Sequence, residues 1–210
     1  FLGPAYNFER EINNTRLQAI NVIAAMNDEL QKYIPGQVGR FDDAFNLNCV
    51  GDTFQAAGVP TILFEAGHHP NDYQREVTRK WMCISLFSAL QYIYENVVVS
   101  NKTQDYLNIP QNKVAFFDIV YKNVKINYDG IEKNTNFAIQ FTEELFENQI
   151  RWNAFFAQIG ALEGFYGHQE FDARGELYSD NQTNIPKLES KADFCLGKNT
   201  EIVNGLPKNL

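Results

Sequence analysis

Two hydrophobic periods divide this chain of 210 residues and predict a mixed fold: a layered α/β part over residues 1–99, a linker over 100–113 and a β-rich part over 114–210. Up to about residue 96, apolar residues recur every three to four positions around one continuous apolar run. Beyond residue 113 they alternate. The stretch between, with Asn101, Lys102, Gln104, Asp105, Pro110 and Asn112, is polar and breaks both patterns.

The first helix is predicted from Leu17, Ile20, Ile23, Ala24, Leu30 and Ile34, with Asn14 or Thr15 as its cap and Pro35-Gly36 as its stop. A short helix over Asp52–Ala57 follows, ended by Gly58 in a left-handed position. Val59-Pro60-Thr61-Ile62-Leu63-Phe64 then reads as a strand buried on both faces. A long helix is expected from about Asp72 to Asn96, with Val77, Trp81, Ile84, Phe87 and Leu90 facing inward.

In the second part, Val114–Tyr121, Val124–Tyr128, Phe137–Phe141 and Ile150–Ile159 are β-prone runs, and Asp129-Gly130 is a hairpin turn. The last residues, from about Tyr178 to Leu210, read as irregular surface. Tyr121, Tyr128, Phe141, Trp152, Phe155 and Phe156 are taken as the core of the strand part, with a sugar-binding platform as the other use of such rings.

Composition narrows the function classes. A net charge of −8, without a basic run, argues against nucleic acid as a partner. The longest mostly apolar stretch, Trp81–Leu90, is far short of the roughly 20 residues that a membrane span needs. Three scattered cysteines, Cys49, Cys83 and Cys195, make a disulfide framework unattractive and favour a reducing compartment such as the cytoplasm. Phe1 is not a methionine and Phe1-Leu2-Gly3-Pro4 is too short for a signal peptide, which reads as a cut N-terminus.

Glu65 is the leading chemical candidate. It closes the predicted strand, where ligands bind in open α/β sheets, and Leu63 and Phe64 supply the apolar wall that tunes a general base. The competing role is structural, capping the next turn or pairing with Arg75 or Arg79. His68 is expected to line the same cleft and meet substrate or an oxyanion. Glu65, His68 and His69 are a poor metal set, because Gly67 and Pro70 prevent the helix that would align them. Glu143, Glu144 and Glu147 read as a solvated acidic face, and Ser85 and Ser88 have no partner base.

The block Gly39–Arg79, and above all Asn48-Cys49-Val50-Gly51-Asp52-Thr53-Phe54 through Ile62-Leu63-Phe64-Glu65, resembles zinc carboxypeptidases of a bacterial branch. In that family a small-residue loop and an Asp precede a short helix, then Gly, then a buried strand finishing in Phe-Glu; Asp52, Gly58, Phe64 and Glu65 match. The resemblance implies that residues 1–99 are the C-terminal half of a three-layer α/β/α catalytic domain, with an accessory β domain behind it. It implies that Glu65 is the general base acting on zinc-bound water, and that peptide or amide bonds are the substrate.

Two departures accompany the match. The family's His-x-x-Glu zinc pair does not occur here, so zinc is expected in an intact enzyme whose upstream segment carries the ligands, and none in these residues alone. This chain by itself is then expected to be inactive, and to self-associate through surface that truncation uncovers. The family's substrate-binding tyrosine is also without a counterpart; its window holds Arg40, Phe41, Asp42, Asp43, Ala44 and Phe45. Arg40 either holds a substrate carboxylate or pairs with Asp42 or Asp43. A second function class stays open beside the hydrolase: a non-catalytic module binding a peptide or glycan on a degenerate peptidase scaffold.

Overall fold

The Asn13 side chain accepts a 2.8 Å hydrogen bond from the Arg16 backbone N–H, and the chain winds from there into α1 (Asn14–Leu30). The expected cap was one or two residues later. In this computed structural model, which describes residues 1–96 and 100–208, the chain forms two compact units, Phe1–Val114 and Ala115–Leu210. The fold is mixed α/β with two sheets. The expected end of the first part at residue 99 and the chain end at 210 fall on 97–99 and 209–210, outside the described residues.

In the first unit, α1 is followed by α2 (Val50–Ala56), α3 (Glu76–Glu95) and α4 (Thr103–Asn108). Gly58 ends the α2 turn at φ +84°, the left-handed geometry expected of it. The core joins Ile20, Ile23, Met26 and Leu30 of α1 to Ala89 of α3, Tyr106 of α4, and Ile109.

Three expectations for this unit are corrected. The segment 59–64 is not a strand buried on both faces. Only Leu63 is bridged, to Leu2, and Val59 is 48% exposed. Val59 gives its N–H to Phe54 and Pro60 has none, so the run cannot support a ladder at its start. On α3 the buried residues are Thr78, Ser85 and Ala89, while Phe87 and Leu90 face outward, 70% and 67% exposed. α3 packs against α1, and small side chains let the two approach closely. Finally, the expected linker holds α4: Tyr106 and Ile109 are buried, and the Asn21 side chain binds the Ser100 carbonyl and the Lys102 N–H.

The second unit is a pair of four-stranded sheets. β1 (Phe116–Tyr128), β2 (Ile131–Phe146), β3 (Gln149–Gly160) and β4 (Tyr166–Asp172) make the first, in the order β3-β2-β1-β4, with β4 parallel to β1. The two expected runs Val114–Tyr121 and Val124–Tyr128 are one strand, bent by a register shift between Tyr121 and Val124. Asp129 and Gly130 both have positive φ, +50° and +87°, as a two-residue hairpin turn of this kind requires.

β5 (Tyr178–Ser179), β6 (Phe194–Leu196), β7 (Thr200–Val203) and β8 (Leu206–Pro207) make the second sheet, in sequence order. This corrects the irregular surface expected there. Phe137, Ile139 and Phe156 of one sheet share a core with Tyr178, Phe194 and Ile202 of the other. Phe137 meets Tyr121, Phe156 and Phe194 at ring separations of 5.0–5.4 Å. Gly205 enters this core at φ +80°, where a Cβ would lie 3.0–3.1 Å from Ile119 and Ala154.

Candidate functional site

Glu65 follows a set of short extended segments laid side by side. Leu2 and Leu63 exchange two backbone hydrogen bonds, 3.0 and 2.9 Å. Phe1 gives its N–H to the Gly39 carbonyl at 2.8 Å and receives the Phe41 N–H at 3.0 Å. Arg40 in turn bonds through its backbone to Pro110 and Asn112, at 2.8 and 2.7 Å. The order 62–64, 1–2, 39–41, 110–112 thus resembles a sheet that never extends beyond single bridges.

The Phe1 ring packs edge-on against Phe64 at 5.2 Å. Burial pushes the Phe1 amino group below its ordinary value, and the Glu65 carboxylate pulls it back up, so the two groups lie within electrostatic reach. Glu65 itself is exposed. Neither arginine considered as its partner takes it up. Arg75 directs Nη2 to the carbonyls of Ala66 and Gly67, at 2.5 and 2.6 Å, and Arg79 pairs with Glu76.

The loop beyond Glu65 is tied at its far end by Asp72. Its buried carboxylate accepts the Val77 and Thr78 N–H groups at 3.1 and 2.8 Å and the Thr78 hydroxyl at 3.0 Å, capping α3. Burial opposes ionisation of Asp72, but these hydrogen bonds outweigh it and hold the group below the usual carboxylate range. His68 is exposed on this loop, three residues past Glu65. His69 turns its ring nitrogen to the Pro70 carbonyl at 2.9 Å.

Arg40 lies on the third extended segment. Its Nε donates to the Ile109 carbonyl at 2.8 Å, and its guanidinium sits 5.4 Å from the Tyr106 ring centre. The alternative pairing of Arg40 is not formed: Asp42 caps the Ala44 N–H, and Asp43 pairs with Arg10 and Arg16. Among the described residues no three His, Cys, Asp or Glu side chains converge in a group that could hold a metal ion.

Sequence reasoning missed Arg16, and it gave Asp72 and Arg75 other roles, Asp72 as the start of the long helix and Arg75 as a partner of Glu65. An Asp just before a helix signals the cap that Asp72 makes. The carbonyls that Arg16 and Arg75 bind leave no mark in the sequence. No protein-family model, no curated protein and no solved structure matches this chain. No helix among the described residues is long and apolar enough to cross a membrane.

Proposed function

We propose that this chain is part of a zinc-dependent carboxypeptidase-like hydrolase of peptide or amide bonds, with Glu65 as general base and the metal ligands on a segment preceding Phe1. In this reading the first unit is the C-terminal half of a three-layer α/β/α catalytic domain, and the second is an accessory β domain. The observation that supports it is placement: the Phe1 ring packs edge-on against Phe64 at 5.2 Å, one residue before Glu65, so a segment preceding Phe1 would run close to the base. The Glu65 carboxylate, not engaged by Arg75 or Arg79, accepts a proton from the attacking water and returns it to the leaving amine. His68 and Arg40 serve substrate binding.

The test is peptide hydrolysis by the protein extended upstream, with and without a zinc chelator, comparing wild type with Glu65→Gln. A loss of about 100-fold or more in chelator-sensitive turnover is expected of a general base. The 210 residues alone are expected to cut nothing. Equal turnover by wild type and Glu65→Gln refutes the assignment.

The second reading, a peptide- or glycan-binding module, is favoured by one feature. The β2–β3 hairpin continues past the core and presents Leu145, Ile150 and Trp152 at 74%, 60% and 49% exposure. A Glu65→Gln variant that keeps all ligand binding, in an extended protein without turnover, would favour it.

A further inference from the structure

Arg75 holds a backbone conformation that its own chemistry disfavours. Its φ of +61° and ψ of +26° are left-handed, where an L side chain crowds the following carbonyl and glycine or asparagine is the usual occupant. It occupies the N-cap position of α3 without giving a side-chain cap bond, since Asp72 performs the capping. Backbone strain retained on an ordinary residue points to a side chain needed at that place.

That side chain reaches back eight and nine residues. One guanidinium nitrogen binds the carbonyls of Ala66 and Gly67 together, and no carboxylate among the described residues pairs with it. A trans peptide is planar, so holding two successive carbonyls fixes the Ala66–Gly67 and Gly67–His68 peptide planes, immediately after Glu65. With Arg75 at one crossing and Asp72 at the other, the loop 65–75 is closed by side chains. No backbone ladder does this work.

We infer that Arg75 is a positioning residue, a guanidinium clamp that sets the orientation of the Glu65–His68 segment without touching substrate. The catalytic meaning of the clamp rests on the hydrolase reading above; its existence does not. A cation alone is insufficient, because the two N–H donors of Nη2 are fixed in the guanidinium plane, whereas those of a lysine ammonium turn freely on a shorter side chain.

Two variants are compared with wild type: Arg75→Gly, which suits the left-handed backbone while removing the clamp, and Arg75→Lys, which keeps the charge. Backbone order parameters of residues 65–68 are measured by NMR relaxation in the full chain, beside the thermal midpoint of the first unit. The expected result for Arg75→Gly is a fall of these order parameters from the rigid value of about 0.85 toward about 0.6 or below, with the midpoint unchanged or raised. Millimolar guanidinium should restore part of the order in Arg75→Gly and none in Arg75→Lys. In the extended enzyme, turnover at saturating substrate should fall about tenfold or more while KM changes little.

Unchanged order parameters in Arg75→Gly overturn the clamp. A midpoint that drops along with the order makes Arg75 a plain structural residue and also overturns it. An extended wild type without turnover removes the hydrolase reading and the clamp's catalytic role together, while the order parameters still decide whether the clamp exists.

Discussion

Replacing Arg16 should loosen the platform that carries Glu65, because the side chain is 97% buried and its bonds hold irregular backbone and the Asp43 carboxylate. Its Nε binds the Gly3 carbonyl at 3.1 Å, one Nη the carbonyls of Arg10 and Glu11, and the other Asp43 at 2.7 Å. Arg16→Met keeps most of the aliphatic stem and removes only the polar end. The Gly3 carbonyl is buried and loses a charged donor, at about 1–3 kcal/mol. Asp43 is partly exposed and keeps Arg10, and the carbonyls of Arg10 and Glu11 rehydrate, so their loss adds about 1 kcal/mol. The total expected is about 3 kcal/mol, at the low end of what breaking a buried ion pair costs. The assay is urea unfolding followed by Trp81 fluorescence in a Trp152→Phe background, which isolates the first unit because each unit has one of the two tryptophans. The midpoint should fall with the slope unchanged. Asp43→Ala should cost less than Arg16→Met, and the double variant less than the sum. A loss under about 1 kcal/mol for Arg16→Met would refute this account of how the N-terminal segment is held.

Burial pushes the Tyr121 and Tyr178 phenols well above their ordinary value of 10.0, with Asp180 adding to the effect on Tyr178. Their neutral forms are favoured in the fold, so the stability they contribute is complete below pH 10 and declines as pH rises beyond it and unfolded tyrosine ionises. Tyr121→Phe should flatten that alkaline decline in unfolding followed by Trp152, although it loses the bond to the Gly205 carbonyl and lowers stability at neutral pH. On α3, Leu86, Phe87, Leu90, Ile93 and Tyr94 are 50–86% exposed, an apolar stripe expected to drive association. Sedimentation should report species above the 24.1 kDa of one chain, reduced by Phe87→Glu, and a clean wild-type monomer would count against it.

What the sequence made legible followed from period and turn chemistry. The α1 stripe and the Asp129-Gly130 hairpin are local signals, and each needs only its own residues. The α3 face was not legible, because residues 81–94 carry no charge and every face is apolar or neutral. Packing against α1 selected Ser85 and Ala89 over Phe87 and Leu90, which periodicity cannot do. The second sheet was hidden because its strands run two to four residues, too short to show an alternation. Glu65 stood out as the acidic residue closing an apolar run, whereas whether that run becomes a ladder depends on partners elsewhere in the chain.

The residues around Glu65 show why the site's supports escaped sequence reasoning. Extended segments that meet only at single bridges leave carbonyls without ladder partners, and such groups need donors from elsewhere. Three arginines supply them: Arg16 to Gly3, Arg10 and Glu11, Arg40 to Ile109, and Arg75 to Ala66 and Gly67. Arginine suits this task because it is a donor throughout, stays charged at any working pH and can reach several carbonyls from one planar group. The choice among its possible partners is made by backbone placement, so the nearby acids that sequence reasoning paired with Arg40 and Arg75 were displaced by carbonyls. The same substitution of guanidinium for ladder leaves the Glu65 loop dependent on side chains, and its conformation is then sensitive to changes at residues that lie outside it.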